Sequence, residues 1–139
     1  MAKLPKRNND NGAEGDVGYD IFSIKEVSIP ARQSAVIPVG MKVGKITPGY
    51  WFRVEARSGL GFKHSIFPHF GVIDQPYRGD LGIKLYNNSD TDQVIKVGQA
   101  CAQIIVYKMI DADMGWMNET EVEATTRGEA GFGSSDKKA

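Results

Sequence analysis

The chain has 139 residues, of which 41% are hydrophobic, and its 17 Lys and Arg balance 17 Asp and Glu to a formal charge of zero. That length fits one domain with a sizeable core, and the charge balance argues against a strongly basic nucleic-acid binder. The only cysteine, Cys101, cannot form an internal disulfide, and with two histidines, His64 and His69, it makes a poor zinc inventory, so the expected chemistry uses neither thiol nor zinc.

The N-terminal "KRNNDNGAEGD" reads as a mobile end by its polar bias. After it, apolar residues recur in short blocks of period two, broken by Gly, Pro and Asn-Asn, which predicts an all-β domain. In chain order the predicted strands are "VGYDIFSI" (17–24), "VSIP" (27–30), "SAVIPVGMKV" (34–43), "YWFRVEA" (50–56), "LGIKLYN" (81–87), "QVIKV" (93–97) and "ACAQIIVYKM" (100–109). Pro30, Pro38, Pro48 and Pro68 lie at or near block boundaries, where a missing N–H costs least. In "LGIKLYN", Leu81, Ile83 and Leu85 share the core face, and Lys84 and Tyr86 take the other. Helix signals are weak. The best is "SGLGFKH", where Ser58 could cap a single turn, although Gly59 and Gly61 count against even that. Many short strands separated by turns fit a jelly-roll-like β-barrel or sandwich over residues 1–126, followed by a flexible segment, 127–139. No apolar run approaches the ~20 residues that cross a bilayer, and the N-terminus lacks a signal-peptide core. The expected location is the cytoplasm, or a host's cytoplasm if a virus encodes the chain, with no membrane or nucleic-acid partner.

Five segments carry residues suited to chemistry. In "VEARSGLGFKH" a strand runs into a glycine-bearing turn, where backbone N–H groups and the Arg57 fork could cradle a phosphate; a solvated arginine ending a strand is the default for that segment alone. In "FGVIDQPYRGDLG", Asp74 follows an apolar strand, where a partly shielded carboxylate could act as a general base, or simply bond turn amides. Tyr77 is either a core edge or a platform for a flat ligand. Asp20, in "GYDIFS", either sits on the wet face of a half-buried strand, the default, or pairs with an arginine or metal-bound water. Gln103 shares a strand face with Cys101, Ile105 and Tyr107, and its amide must bond either neighbouring backbone or a ligand. The tail "RGEAGFGSS" sets Arg127, Phe132, Ser134 and Ser135 on a glycine-rich segment, which suits a lid that stacks a ring and grips anionic oxygens. Phosphate donors, a carboxylate and an aromatic lid suggest a nucleotide.

In this order, "GYDIFS", "ARSG", "GVIDQPYRG", "GQACAQ" and "RGEAGFGSS" resemble the five motifs of the trimeric dUTPases, over about Gly18 to Ser135. The resemblance implies a homotrimer of jelly-roll subunits with shared active sites. It further implies magnesium-dependent hydrolysis of dUTP to dUMP and pyrophosphate, which keeps uracil out of DNA and supplies dUMP for dTMP synthesis. By the same match Asp74 activates the water that attacks the α-phosphorus, and Tyr77 packs under the deoxyribose. The hairpin around His69, Gly71, Val72 and Ile73 reads the uracil edge with its backbone. Arg57, Ser58 and Gly59 bind phosphate oxygens, Gln103 holds an α-phosphate oxygen or the water, and Asp20 reaches magnesium through coordinated water. Arg127 approaches the γ-phosphate, Phe132 stacks on uracil as Gly133 lets the tail bend, and Ser134 and Ser135 bond the terminal phosphates.

Three positions depart from the pattern: Ala100 stands where an arginine is common, and Ala130 and Asp136 where glycine is usual. The dCTP deaminases share the fold, but Lys84 occupies the place of their catalytic glutamate, which disfavours deamination. A binding or regulatory protein that uses the trimer surface to hold another protein is the alternative of a different class.

Overall fold

The computed structural model describes residues 2–118 and 124–133. Two compact units are distinguished, Met1–Met109 and Ile110–Ala139, so the division falls earlier in the chain than the 126/127 boundary expected from composition. In the first unit, nine strands are found among the described residues: β1 (Tyr19–Phe22), β2 (Val27–Ile29), β3 (Ser34–Lys42), β4 (Tyr50–Glu55), β5 (Ile66–Pro68), β6 (Gly71–Ile73), β7 (Asp80–Asn87), β8 (Gln93–Ile95) and β9 (Ala100–Lys108). One helix, α1 (Ser58–His64), joins β4 to β5.

The strands form a four-stranded sheet in the order β1-β9-β4-β6, a three-stranded sheet β3-β7-β5, and a β2-β8 pair. Alternation decides what lies between them. In β7, Leu81, Ile83 and Leu85 are buried while Lys84 is exposed, as period two requires. They meet Phe52 and Val54 from β4, Ile104 from β9, Ile37 and Val39 from β3, and Ile29 and Ile95 from the small sheet in one apolar core. The result is the expected all-β, jelly-roll-like sandwich.

Three local expectations need correction. "SGLGFKH" does form a helix of seven residues, because Leu60 is buried against the core and tertiary packing outweighs the low propensity of Gly59 and Gly61. Ser58 is its first residue rather than its cap; Arg57 holds the N-cap position with no capping side-chain bond. Pro38 lies inside β3, opposite Gly82, and not at its end. β3 is an edge strand whose register shifts between Pro38 and Lys42, so the missing N–H interrupts little of the ladder. The expected hairpin around residues 69–73 is absent too: β5 pairs with β7 and β6 with β4, so this segment crosses from one sheet to the other.

The N-terminal polar run also differs from expectation. Lys6 and Asp20 exchange backbone hydrogen bonds of 3.2 and 2.8 Å, which ties the segment to β1. In the second unit, residues 124–133 fold on themselves: Arg127 Nε donates to Ala130 O at 2.7 Å and Gly128 N to Thr125 Oγ1 at 3.0 Å.

Candidate active site

Two clefts in the first unit hold most of that unit's predicted residues, Gly59, His69 and Gly71 excepted, and no residue lines both. The first, of about 300 Å³, is lined by Asn8, Asp16, Val17, Gly18, Asp20, Arg57, Ser58 and Gln103. The second, of about 380 Å³, includes Val72, Ile73, Asp74 and Tyr77, with Leu81 and Ile83 behind them.

The first cleft is assembled by strand register. Asp20 on β1 lies opposite Gln103 on β9, and Gln103 lies opposite Glu55 at the end of β4, two residues before Arg57. The sheet therefore brings three distant stretches to one edge. Asp20 is 7% exposed, so the wet-face default is wrong. Its carboxylate accepts from Arg57 Nε at 2.9 Å, Arg57 Nη2 at 3.3 Å and Asn8 Nδ2 at 3.1 Å. Pairing satisfies a charge that burial would otherwise penalise. The Arg57 default of a merely solvated side chain fails for the same reason. Its Nη1 hydrogens have no bond among the described residues and remain available at the cleft.

Gln103 Nε2 donates to Ala56 O at 2.8 Å, so its amide bonds neighbouring backbone in the unliganded chain. Its side chain lies across Gly18, where a Cβ would stand 1.9 Å from Gln103 Oε1. Glycine at 18 thus leaves room for Gln103 in this position. Ser58 and Gly59 are exposed, and a Cβ on Gly59 would meet nothing within 4 Å.

In the second cleft, Asp74 is exposed rather than partly shielded, because it lies beyond the last paired residue of a three-residue strand. Its carboxylate accepts no hydrogen bond among the described residues. Tyr77 Oη donates to Asp80 O at 2.9 Å, and the ring lies against Gly79, where a Cβ would stand 2.3 Å from Oη. Among the described residues β6 pairs only with β4, so one edge of Gly71, Val72 and Ile73 has no described strand beside it. His69 is exposed and turned away from that edge: its N–H donates to Lys84 O at 2.8 Å and its ring tilts against Tyr86.

Within the second unit, the Arg127 guanidinium is bonded to its own turn, Phe132 is fully exposed, and Gly133 has φ 82°, a left-handed value that glycine adopts at no steric cost. Ser134 and Ser135 lie outside the described residues. The clefts also contain residues that the sequence reading missed: Asn8, Asp16 and Val17. The polar run around them reads as disorder by composition, yet "NNDNG" is also rich in turn formers, the one signal that could have placed it against β1.

Behind the first cleft, Cys101 belongs to the core. Cys101 is fully buried, and burial raises its pKa to about 12, outweighing the opposing effect of its backbone hydrogen bond. It is an inert core thiol. Among the described residues no group of three or more His, Cys, Asp or Glu is placed to hold a metal.

Comparison with known proteins places the chain in a family. Residues 5–136 match the dUTPase family. A deoxyuridine 5'-triphosphate nucleotidohydrolase of Oryza sativa is 42% identical over 96% of this chain and 74% of its own. One from Paramecium bursaria Chlorella virus 1 is 39% identical over 88% and 85% of the two chains. Among solved structures, the dUTPase of Staphylococcus bacteriophage 80alpha with dUpNHpp superposes with a TM-score of 0.79 at 29% identity, covering 96% of this chain and 91% of that one. A dUTPase variant of phage phi11 of S. aureus, described with a structural Mg(II) ion, gives 0.71 at 26% identity over 87% and 93%. Since the sequence match runs through both clefts and most of the tail, the chain belongs to the dUTPase family and is a nucleotide hydrolase.

Proposed function

We propose that the protein hydrolyses dUTP to dUMP and pyrophosphate, with magnesium, in sites completed between copies of a homotrimer. The observation that carries the shared site is the separation of parts: phosphate-binding groups line one cleft, the carboxylate and the aromatic platform line another, and no residue joins them. A second copy that presents its Asp74 cleft to the Arg57 cleft of the first would assemble the set. Apolar surface for such contacts is at hand in the exposed Val72, Val106, Ile110 and Trp116.

In this reading the free edge of β6 offers alternating N–H and C=O groups to the uracil edge, and the bare Gly71 permits close approach. Tyr77, fixed by Asp80 and Gly79, lies under the deoxyribose and leaves no room for a 2′-hydroxyl. Arg57, Ser58 and Gly59 bind phosphate oxygens. Asp74 orients one water and accepts its proton as the oxygen attacks the α-phosphorus. The bond from that phosphorus to the α,β-bridging oxygen breaks, and pyrophosphate leaves with the electron pair. Gln103 turns from Ala56 O to an α-phosphate oxygen or to the water. Arg127 meets the γ-phosphate and Phe132 covers the uracil, with Gly133 bending the tail and Ser134 and Ser135 at the terminal phosphates.

The residues fit magnesium as an outer-sphere guest. Three donors already occupy the Asp20 carboxylate, and a coordinated water can take its remaining lone pair without displacing Arg57. The ion, held mainly by substrate oxygens, would supply neutralisation of phosphate charge.

The test is Asp74→Asn. It should keep the fold and nucleotide binding while lowering kcat by roughly 10²–10⁴-fold, the usual contribution of a general base. Near-normal turnover would remove Asp74 from the role.

A further inference from the structure

We infer that Asn8, in the N-terminal segment, is a positioning residue for the phosphate grip of Arg57 and acts through Asp20. The inference rests on the reading of Arg57 as a phosphate ligand. A carboxylate fixed only by a guanidinium fork keeps freedom about its Cβ–Cγ bond, because terminal torsions to a planar group are broad. Asn8 Nδ2, at 3.1 Å from Asp20 Oδ2, donates from a different chain segment and restricts that rotation. No other described residue donates to either oxygen besides Arg57. The fork takes its orientation from the carboxylate, and Arg57, whose Nη1 has no bond among the described residues, lines the same cleft as Asn8.

Asn8 is itself aimed by backbone geometry. Two residues before it, Lys6 is bonded to Asp20 through both main-chain groups. One residue after it, Asn9 N donates to the Asp16 carboxylate at 3.1 Å and Asp16 N donates to Asn9 O at 2.8 Å. The loop closes this tightly because residue 15 is glycine: a Cβ there would stand 2.6 Å from Asn9 O. Asn8 is thus held between a β-bridge and a loop closure, with its amide directed at the one buried carboxylate of the cleft. An exposed asparagine serving only solubility needs neither restraint.

The experiment compares wild type, Asn8→Ala, Asn8→Asp, Arg57→Ala and the Asn8→Ala/Arg57→Ala double variant in steady-state dUTP hydrolysis, with thermal midpoints measured in parallel. Asn8→Ala should lower kcat/KM on the order of fivefold, as expected for losing a hydrogen bond to a charged group at a partly wet site. Its midpoint should stay within about 2 °C of wild type, because the bond lies outside the core. In the Arg57→Ala background the same change should add nothing, since the group it orients is gone. Asn8→Asp keeps the size of the side chain, loses the donors and places a second carboxylate against Asp20, so it should fall at least as far as alanine. It carries the test if the alanine variant does not fold. Wild-type kcat/KM in both Asn8 variants, with Arg57→Ala impaired, overturns the inference and leaves the Arg57 reading standing. An equal Asn8→Ala penalty with and without Arg57 also overturns it. Full activity in Arg57→Ala overturns the reading of Arg57, and the inference falls with it.

Discussion

Replacing Gly18 by alanine asks whether the first cleft works through Gln103. The new Cβ would stand 1.9 Å from Gln103 Oε1 and 2.8 Å from its Cδ. Ordinary contact begins at 3.4 Å, so the oxygen must move by 3.4 minus 1.9, or about 1.5 Å. The obstructing atoms are the far end of a flexible side chain, and Gly18 does not have a left-handed φ, so the backbone needs no strain. What is lost is the 2.8 Å bond from Gln103 Nε2 to Ala56 O and the placement of the amide. Losing that bond costs about 1 kcal/mol at this half-buried carbonyl, and restricting the unfolded chain returns roughly 0.4–1 kcal/mol. Stability should therefore change by at most about 1 kcal/mol, a shift of a few degrees.

Turnover should suffer far more, because a displaced donor at a reacting phosphate costs on the order of 100-fold, or about 2.7 kcal/mol. The assay is pyrophosphate release from dUTP by Gly18→Ala, Gln103→Ala and the double variant, alongside melting curves. The single variants should have similar kcat, and the double variant should be no worse than either. A Gly18→Ala enzyme with wild-type kcat, or one that loses stability and activity together, would refute the reasoning.

The other predictions concern the second cleft and the core. Gly79→Ala should push the Tyr77 ring from its place, since a Cβ would lie 2.3–2.8 Å from its Oη, Cζ and Cε1. Because Tyr77 is partly exposed, the fold should survive while the preference for dUTP over UTP, measured as a ratio of kcat/KM values, drops by roughly tenfold. An unchanged ratio would dissociate the ring from sugar selection. Cys101, with its pKa raised from 9.0 to about 12, should resist thiol reagents at pH 8 until the protein unfolds. Its stabilising effect is complete below pH 9. Above that the unfolded chain releases the thiol proton and the native one does not, so this group lowers stability by about 1.4 kcal/mol per pH unit until the native thiol ionises near pH 12. Rapid labelling of the folded protein at pH 8 would contradict the buried geometry.

Much of this was legible in the sequence where local pattern and final environment agree. The alternation of Leu81, Ile83 and Leu85 with Lys84 survives in β7 because one face of that strand is core and the other is not. The five ordered segments pointed to the family before any geometry was known. What the sequence could not show depends on distant pairing. Asp20 looks like a wet-face carboxylate until the fold places Arg57, 37 residues later, on both its oxygens. Helix α1 contradicts its own glycines because Leu60 finds the core. β5 is too short for period two to be seen in it, whereas the apolar strand expected before Asp74 is present as β6. Asn8 lies in a run whose composition resembles a free tail; its order comes from β1, a partner that composition does not reveal.

Mixing two inactive variants tests the composite site most directly. Arg57→Ala damages only the first cleft and Asp74→Asn only the second, so if the proposed trimer forms, chains unfolded together and reassembled in equal amounts would include assemblies in which one copy supplies an intact Arg57 and its neighbour an intact Asp74. With random assembly and sites built across one kind of contact, about a quarter of sites combine two intact halves, and dUMP production should return to about that fraction of wild type. Activity no higher than the average of the two parent variants would contradict a site shared between copies.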